Sequence, residues 1–275
     1  MWSIIWRRFA RSKLAVGALI FVGVITAIAI AAPFIAGDPL RTDLLHRLSP
    51  PDALHRFGTD ELGRDVLARM VHGARVSLAV GFAATFISVV VGLFFGALAG
   101  YYGGAADWIV SRVIEIVLCF PFLFLVLGIV ALFRPSLATI MIALGLTSWT
   151  TEARYVRGEV LRIRDLEFAH AARASGARDA RIIFRHLIPN AIAPVLVSAS
   201  FGVANAILVE SALSFLGVGV PVPLPSWGGI LSVAQQYIDY AWWLVVFPGL
   251  AIFSTVAAFN VIGDRFRDAL DPRSE

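Results

Sequence analysis

Apolar residues run along this chain in long blocks, with neither strand alternation nor a single helical stripe. Five blocks of about 20 or more mostly apolar residues, and one shorter block, predict six helices that cross a bilayer. They cover 14–35, 77–100, 108–133, 136–150, 191–216 and 241–262. A helix over 136–150 reaches only about 22 Å. It must thin the membrane locally, lean on its neighbours or draw in the polar residues after Thr150. The predicted class is an all-α membrane protein.

The longest polar stretch between apolar blocks is 151–190. Residues 166–174 suit a short helix, with Phe168, Ala171 and Ala172 on one face. Gly176 supplies a left-handed turn that a side chain would resist. A second helix follows over 178–187, carrying Ile182 and Ile183. Ile188–Pro189 ends it, because the residue before proline avoids the helical region, and Pro189 starts the next span. Such a hairpin beside a membrane is either a surface-lying loop whose arginines fix topology or a lever for a soluble partner.

The segment 37–75 holds six arginines and six acids. Val66, Leu67, Met70, Val71 and Ala74 recur at helical spacing, which predicts an amphipathic helix at the outer interface. Gly58 and Gly63 punctuate a turn before it, where Asp60, Arg64 and Asp65 pair locally. His46, His55 and His72 fit no standard ligand spacing, and no metal site is assigned.

Within the spans, Gly92, Gly96 and Gly100 form a small-residue face for close helix packing. Arg112 and Glu115 neutralise each other at i and i+3. Pro121 predicts a kink that either shapes a gate or fits a neighbour. Glu210 in the fifth span must face protein or water, because an unpaired carboxylate in hydrocarbon is expensive. With Asn205 and several serines nearby, it lines a solute path or makes a structural hydrogen bond. Residues 217–241 form an outer segment in which 230–238 reads as a surface helix capping the path.

A hydrophobic content of 59% over 275 residues and a mean hydropathy of +0.81 exclude a soluble globular chain. With six spans and both termini cytoplasmic, 16 Lys and Arg lie inside and 7 outside, which satisfies the positive-inside rule. The net charge of +4 thus reports orientation, not nucleic-acid binding. The first apolar block exceeds the usual signal-peptide core, and no small-residue cleavage site follows Pro33, so it reads as a retained span. The lone Cys119 reads as a packed thiol. No P-loop, G-x-S-x-G or H-E-x-x-H sequence occurs, so the chain itself is not read as an enzyme.

The segment Ala171–Gly176 (AARASG), followed by RIIFRHLIPN, resembles the cytoplasmic coupling loop of binding-protein-dependent ABC importer permeases. That loop has Glu-Ala-Ala, a glycine after three more residues and an ending in proline. Ala171, Ala172, Gly176 and Pro189 fall in register, and His170 stands at the glutamate position. Phe57–Asp60, Gly63–Asp65, Gly73–Arg75, Pro225–Gly228 and Ala241–Trp243 are similar to the C-type subunit of the oligopeptide, dipeptide and nickel permeases.

The resemblance implies a type I importer permease with an N-terminal helix and loop over 1–74 and a five-helix core over 75–275, in the inner or plasma membrane of a prokaryote. It implies a B-type sister permease, two cytoplasmic ATPases and an extracytoplasmic solute-binding protein as partners, with peptides as cargo and nickel chelates or glutathione as minority cargoes. No cofactor is implied. Glu167, Phe168, His170, Ala171, Ala172, Arg173, Gly176 and Pro189 would engage the ATPase. Glu115, Asn205 and Glu210 are candidates for the path, and Gly58, Thr59, Asp60, Gly63, Arg64 and Asp65 form the outer signature. The competing classes are an ion-coupled secondary carrier, for which no internal repeat is visible, and an intramembrane enzyme, which lacks a nucleophile–base pair in the spans.

Overall fold

A computed structural model describes residues 2–134 and 136–270. Helices α1 (Trp2–Arg11) and α2 (Lys13–Ile35) open the chain, and the Ser12 hydroxyl caps α2 by accepting from the Ala15 N–H. A loop with one 3₁₀ turn (Leu44–His46) leads to α3 (Val66–Tyr102), then α4 (Gly104–Leu118) and α5 (Phe122–Leu132). Next come α6 (Leu137–Ile163), α7 (Glu167–Ala174), the short α8 (Asp179–Arg181) and a π-helical turn (Ile182–Leu187). Helices α9 (Ile188–Phe215), α10 (Trp227–Ala234) and α11 (Trp243–Leu270) complete the chain.

Among the described residues, four helical stretches are long and apolar enough to cross a membrane: Lys13–Ile35, Val66–Tyr102, Asp179–Phe215 and Trp243–Leu270. The pair α4 and α5 together makes a fifth. The remaining predicted span, the fourth, lies in α6, whose second half carries Glu152, Arg154, Arg157, Glu159 and Arg162.

The structure departs from the sequence pattern in four places and selects one of the options left open at a fifth. The helix predicted to lie separately over 66–75 is the start of the 37-residue α3, which runs unbroken through residues 74 and 75. Its Val66, Met70 and Ala74 are buried beside Trp227 and Ile230, so its apolar face meets protein and not an interface. The expected kink at Pro121 is a full break of 89° between α4 and α5. Proline supplies no N–H and starts α5, and Cys119 is exposed at the corner instead of packed.

The short fourth span takes one of its three options, since α6 continues helically past Thr150 to Ile163. The predicted stop at Ile188–Pro189 is absent. Ile188 stays helical at φ −56° and ψ −46°, with its N–H bonded to the Ile183 carbonyl five residues back. The wide π turn accommodates the proline ring within one continuous run from Asp179 to Phe215. Finally, the segment expected as a surface helix over 230–238 is α10. It tucks Trp227, Ile230 and Ala234 into the core, with the Trp227 indole donating to the Met70 carbonyl.

The closest packing joins α3 to α6. A Cβ at Gly92, Gly96 or Gly100 would stand 2.4 Å from the Glu152 Cβ, 2.6 Å from the Ala153 carbonyl oxygen and 2.8 Å from the Val160 Cβ. These glycines let two backbones touch where lipid offers no hydrophobic drive to hold helices together. Gly96→Val should therefore destabilise the folded chain by about 1–3 kcal/mol. Gly128→Ala, at a position with nothing within 4 Å, should change it little. Denaturant or thermal unfolding in detergent compares the two.

Candidate functional site

Three polar assemblies stand out from the apolar bundle. The first is the hairpin around α7. Leu166 is extended and starts the helix, and Glu167 sits in its first turn, where a carboxylate suits the helix dipole. Gly176 at φ +75° closes the helix, donating to the Arg173 carbonyl while the Ala177 N–H reaches the Ala172 carbonyl. That double bond with a left-handed glycine is a Schellman cap. Buried Ala169 seats α7 on Val160, Ile163, Ile182 and Leu187. Glu167, Phe168, His170 and Ala171 face outward, Ala172 and Arg173 are half-buried, and Gly176 and Pro189 are exposed.

Polar contacts tie the hairpin to the end of α3. Arg164 donates to the Gly100 carbonyl at 2.8 Å, and Arg173 donates to the Arg164 carbonyl. The Arg173 guanidinium lies over the Tyr101 ring at 5.6 Å, and the Tyr101 hydroxyl donates to Asp179 at 2.7 Å. Nearby, Arg157 of α6 forms an ion pair with Asp107 of α4.

The second assembly is a cavity of about 410 Å³ beside the α4–α5 corner, walled by α3, α6 and α9. Its polar lining includes Thr85, Ser88, Glu152, Tyr155, Ser198 and Asn205. Glu152 is 4% exposed and accepts a hydrogen bond from Ser198. A larger hollow of about 710 Å³ adjoins this one through Tyr155, Ser198 and Phe201, and extends to Glu159 and Arg162.

Of the three path candidates, only Asn205 lines the 410 Å³ cavity. Glu115 is exposed on α4 and paired with Arg112. Glu210 is fully buried away from it, accepting from Ser214 at 2.7 Å and from Ser77 at 3.2 Å. Ser77 in turn accepts the Trp227 N–H, so Glu210 pins the joint of α3, α9 and α10. Glu152 lies just past Thr150, where the apolar block ends, so block hydrophobicity does not place it in a span. The polar stripe Thr147, Thr151 and Tyr155 at i, i+4 and i+8 was the available signal that the helix continues.

The third assembly is the turn at 58–65. Asp60 is fully buried, and one oxygen accepts the N–H groups of Leu62 and Arg64. Its other oxygen holds Arg64 at 2.7 Å and pairs with the buried Arg69 of α3. Thr59 offers its carbonyl to the Trp243 indole at 3.0 Å. Asp65 caps α3 through the Ala68 N–H and meets His55 at 2.9 Å. Gly58 and Gly63 take φ of +74° and +71°, and a Cβ on Gly63 would fall 1.7 Å from the Asp43 carbonyl oxygen. The His46 ring hydrogen-bonded to Asp43 holds that carboxyl below the usual carboxylate range. Among the described residues, no group of three or more His, Cys, Asp or Glu could hold a metal.

Residues 92–275 match the family model described as binding-protein-dependent transport system inner membrane component. The chain belongs to this family. Residues 1–51 of the permease match the N-terminal TM domain of oligopeptide transport permease C. Over 273 residues it is 43% identical to a dipeptide transport system permease protein of Alkalihalophilus pseudofirmus, covering 99% of this chain and 90% of the relative. It is 40% identical to an oligopeptide transport system permease protein of Bacillus subtilis, with the same coverage of 99% and 90%.

Among solved structures, an inward-facing form of the MetNI methionine ABC transporter has a TM-score of 0.58 at 24% identity, covering 73% of this chain and 96% of that one. An amino acid ABC transporter solved with histidines gives 0.54 at 19%, covering 74% and 95%. These two establish the fold, that of ABC importer permeases. The hairpin, Glu152 and Asn205 all lie within the family match, whereas the 58–65 turn lies between the two matched segments.

Asp60→Ala in the permease removes the carboxylate with which Arg69 pairs among the described residues, leaving a buried charge uncompensated. The expected loss is about 3–5 kcal/mol of stability. Asp60→Ala/Arg69→Met should recover most of it, as read by monodisperse yield and unfolding midpoint in detergent.

Proposed function

We propose that the permease is the C-type membrane subunit of an ATP-driven importer for di- and oligopeptides. The observation that carries the reading is α7, an eight-residue helix displayed outward and clamped to α3 and α6 from behind. Family membership and the dipeptide and oligopeptide relatives support the importer class and the cargo. Nickel chelates and glutathione are the alternative cargoes within the same class.

Both termini and the hairpin are assigned to the cytoplasm, and the 58–65 turn to the opposite side. A B-type sister permease completes the path, two separate ATPases hydrolyse ATP, and a solute-binding protein docks over the outer turns. Glu167, Phe168, His170 and Ala171 form the face offered to the ATPase, with His170 in the place of a glutamate. Ala172, Arg173, Gly176 and Pro189 shape the hairpin behind it. Gly58, Thr59, Asp60, Gly63, Arg64 and Asp65 set the outer turn over α3. The path runs along the cavity at Asn205, while Glu115 and Glu210 serve pairing and helix joining.

Closure of the ATPases moves α7. The Arg164, Arg173 and Tyr101 contacts pass that motion to α3, and the cavity changes the side to which it opens, a shift between two packed states.

Affinity purification in mild detergent should recover a second permease and P-loop ATPases with this chain. Transport by the pure chain on an ion gradient would overturn the reading. Gly176→Leu forces a branched side chain into a left-handed turn at a cost of about 1–2 kcal/mol. It should leave membrane insertion intact and abolish most cargo-stimulated ATP hydrolysis. Unchanged stimulation would remove the hairpin from the coupling step.

A further inference from the structure

The cavity between α3, α6 and α9 has an electrostatic asymmetry that its role as a passage does not require. Among the described residues Glu152 is its one charged lining residue, while Arg8, Arg162 and Arg267 line the adjoining hollow. Among the described residues the carboxyl has a single hydrogen-bond partner, the Ser198 hydroxyl. The hydroxyl of Thr85, a lining residue only 7% exposed, has no hydrogen-bond partner among the described residues. The Glu152 Cβ is wedged against Gly92, so the α3–α6 contact holds the side chain in place. Once ionised, a carboxylate held in a hollow with apolar walls such as Val117, Phe120 and Leu125 projects a strong field, because little solvent screens it. Charges arranged in this way concentrate counter-ions. The volume of about 410 Å³ falls within the range of small-molecule sites.

We propose that Glu152 is a cation-recognition residue on the solute path, receiving an ammonium group of the passing solute while Thr85, Ser198 and Asn205 offer hydrogen bonds to its polar neighbours. The assignment rests on the reading of this cavity as part of the path. For a peptide the group received is the terminal ammonium or a basic side chain. A solute without a cation meets only the hydroxyls and the amide.

The test uses the assembled transporter in nanodiscs, with Cys119→Ala removing the exposed native thiol and Asn205→Cys placing a reporter in the cavity. A cationic trimethylammonium-ethyl methanethiosulfonate should modify the reporter roughly tenfold faster than the anionic sulfonato-ethyl reagent. Glu152→Gln keeps the Cβ that fills the Gly92 groove and should bring the two rates close to parity, and Glu152→Asp should restore the preference. Glu152→Met serves as a second neutral variant of similar size. An unchanged ratio in both neutral variants, or a reporter that reacts with neither reagent, overturns the assignment.

In proteoliposomes with saturating binding protein, Glu152→Gln should slow trialanine uptake roughly tenfold, with recovery in Glu152→Asp. Unchanged uptake in Glu152→Gln also overturns it. Failure of the unmutated transporter to move trialanine, with the reagent preference intact, would reject the peptide cargo and leave the cation subsite standing.

Discussion

The arrangement depends on backbone-distance contact between α3 and α6. Gly92, Gly96 and Gly100 lie one helical turn apart and admit Glu152, Ala153, Val156 and Val160 into the groove they leave. Because lipid tails compete equally for apolar side chains, this approach has to be stabilised by dense van der Waals contact. The same contact sets the rotation and height of α6. Its upper part then presents Glu152 to the cavity, and its lower part brings Val160 and Ile163 beneath the hairpin. One packing interface thus positions both the cavity-lining carboxyl of Glu152 and the seat of α7.

The buried acids divide by how well they are satisfied. Asp60 accepts from two backbone N–H groups and two guanidinium groups, and welds the 58–65 turn to α3. Glu210 accepts from two serines at the meeting of α3, α9 and α10. A fully paired group in a low-dielectric interior acts as a rivet. Glu152 has one hydroxyl partner and borders open volume. That difference in unmet hydrogen-bonding capacity separates a carboxyl that joins helices from one that borders open volume.

At the opposite end of α6, the hairpin is held by charge and aromatic contacts as much as by burial. Arg164 satisfies a carbonyl at the end of α3, and Arg173 spans the Arg164 carbonyl and the Tyr101 ring, while Tyr101 reaches Asp179. The outer face of α7 is left free of such ties. The hairpin therefore has a rigid back and an open front.

The sequence by itself determined the class of the protein. Block hydrophobicity, the Gly92–Gly96–Gly100 spacing, the left-handed turn at Gly176 and the coupling-loop pattern all reflect local chemistry or short spacings that a linear reading captures. The fusion of the 66–74 helix with the following span into one α3 and the passage of the chain through Pro189 without a break did not show, and the continuation of α6 past Thr150 was one option of three. In each case a neighbouring helix, a π turn or a buried partner overrode the local signal of polarity or proline. Tertiary structure alone decided that Glu152 borders a cavity and that Glu210 does not. The two are separated by 58 positions, and both read as acids beside apolar residues. Which serine each one meets, and whether space remains beside it, depends on how α3, α6 and α9 are rotated against one another, and no spacing along a single chain encodes that rotation.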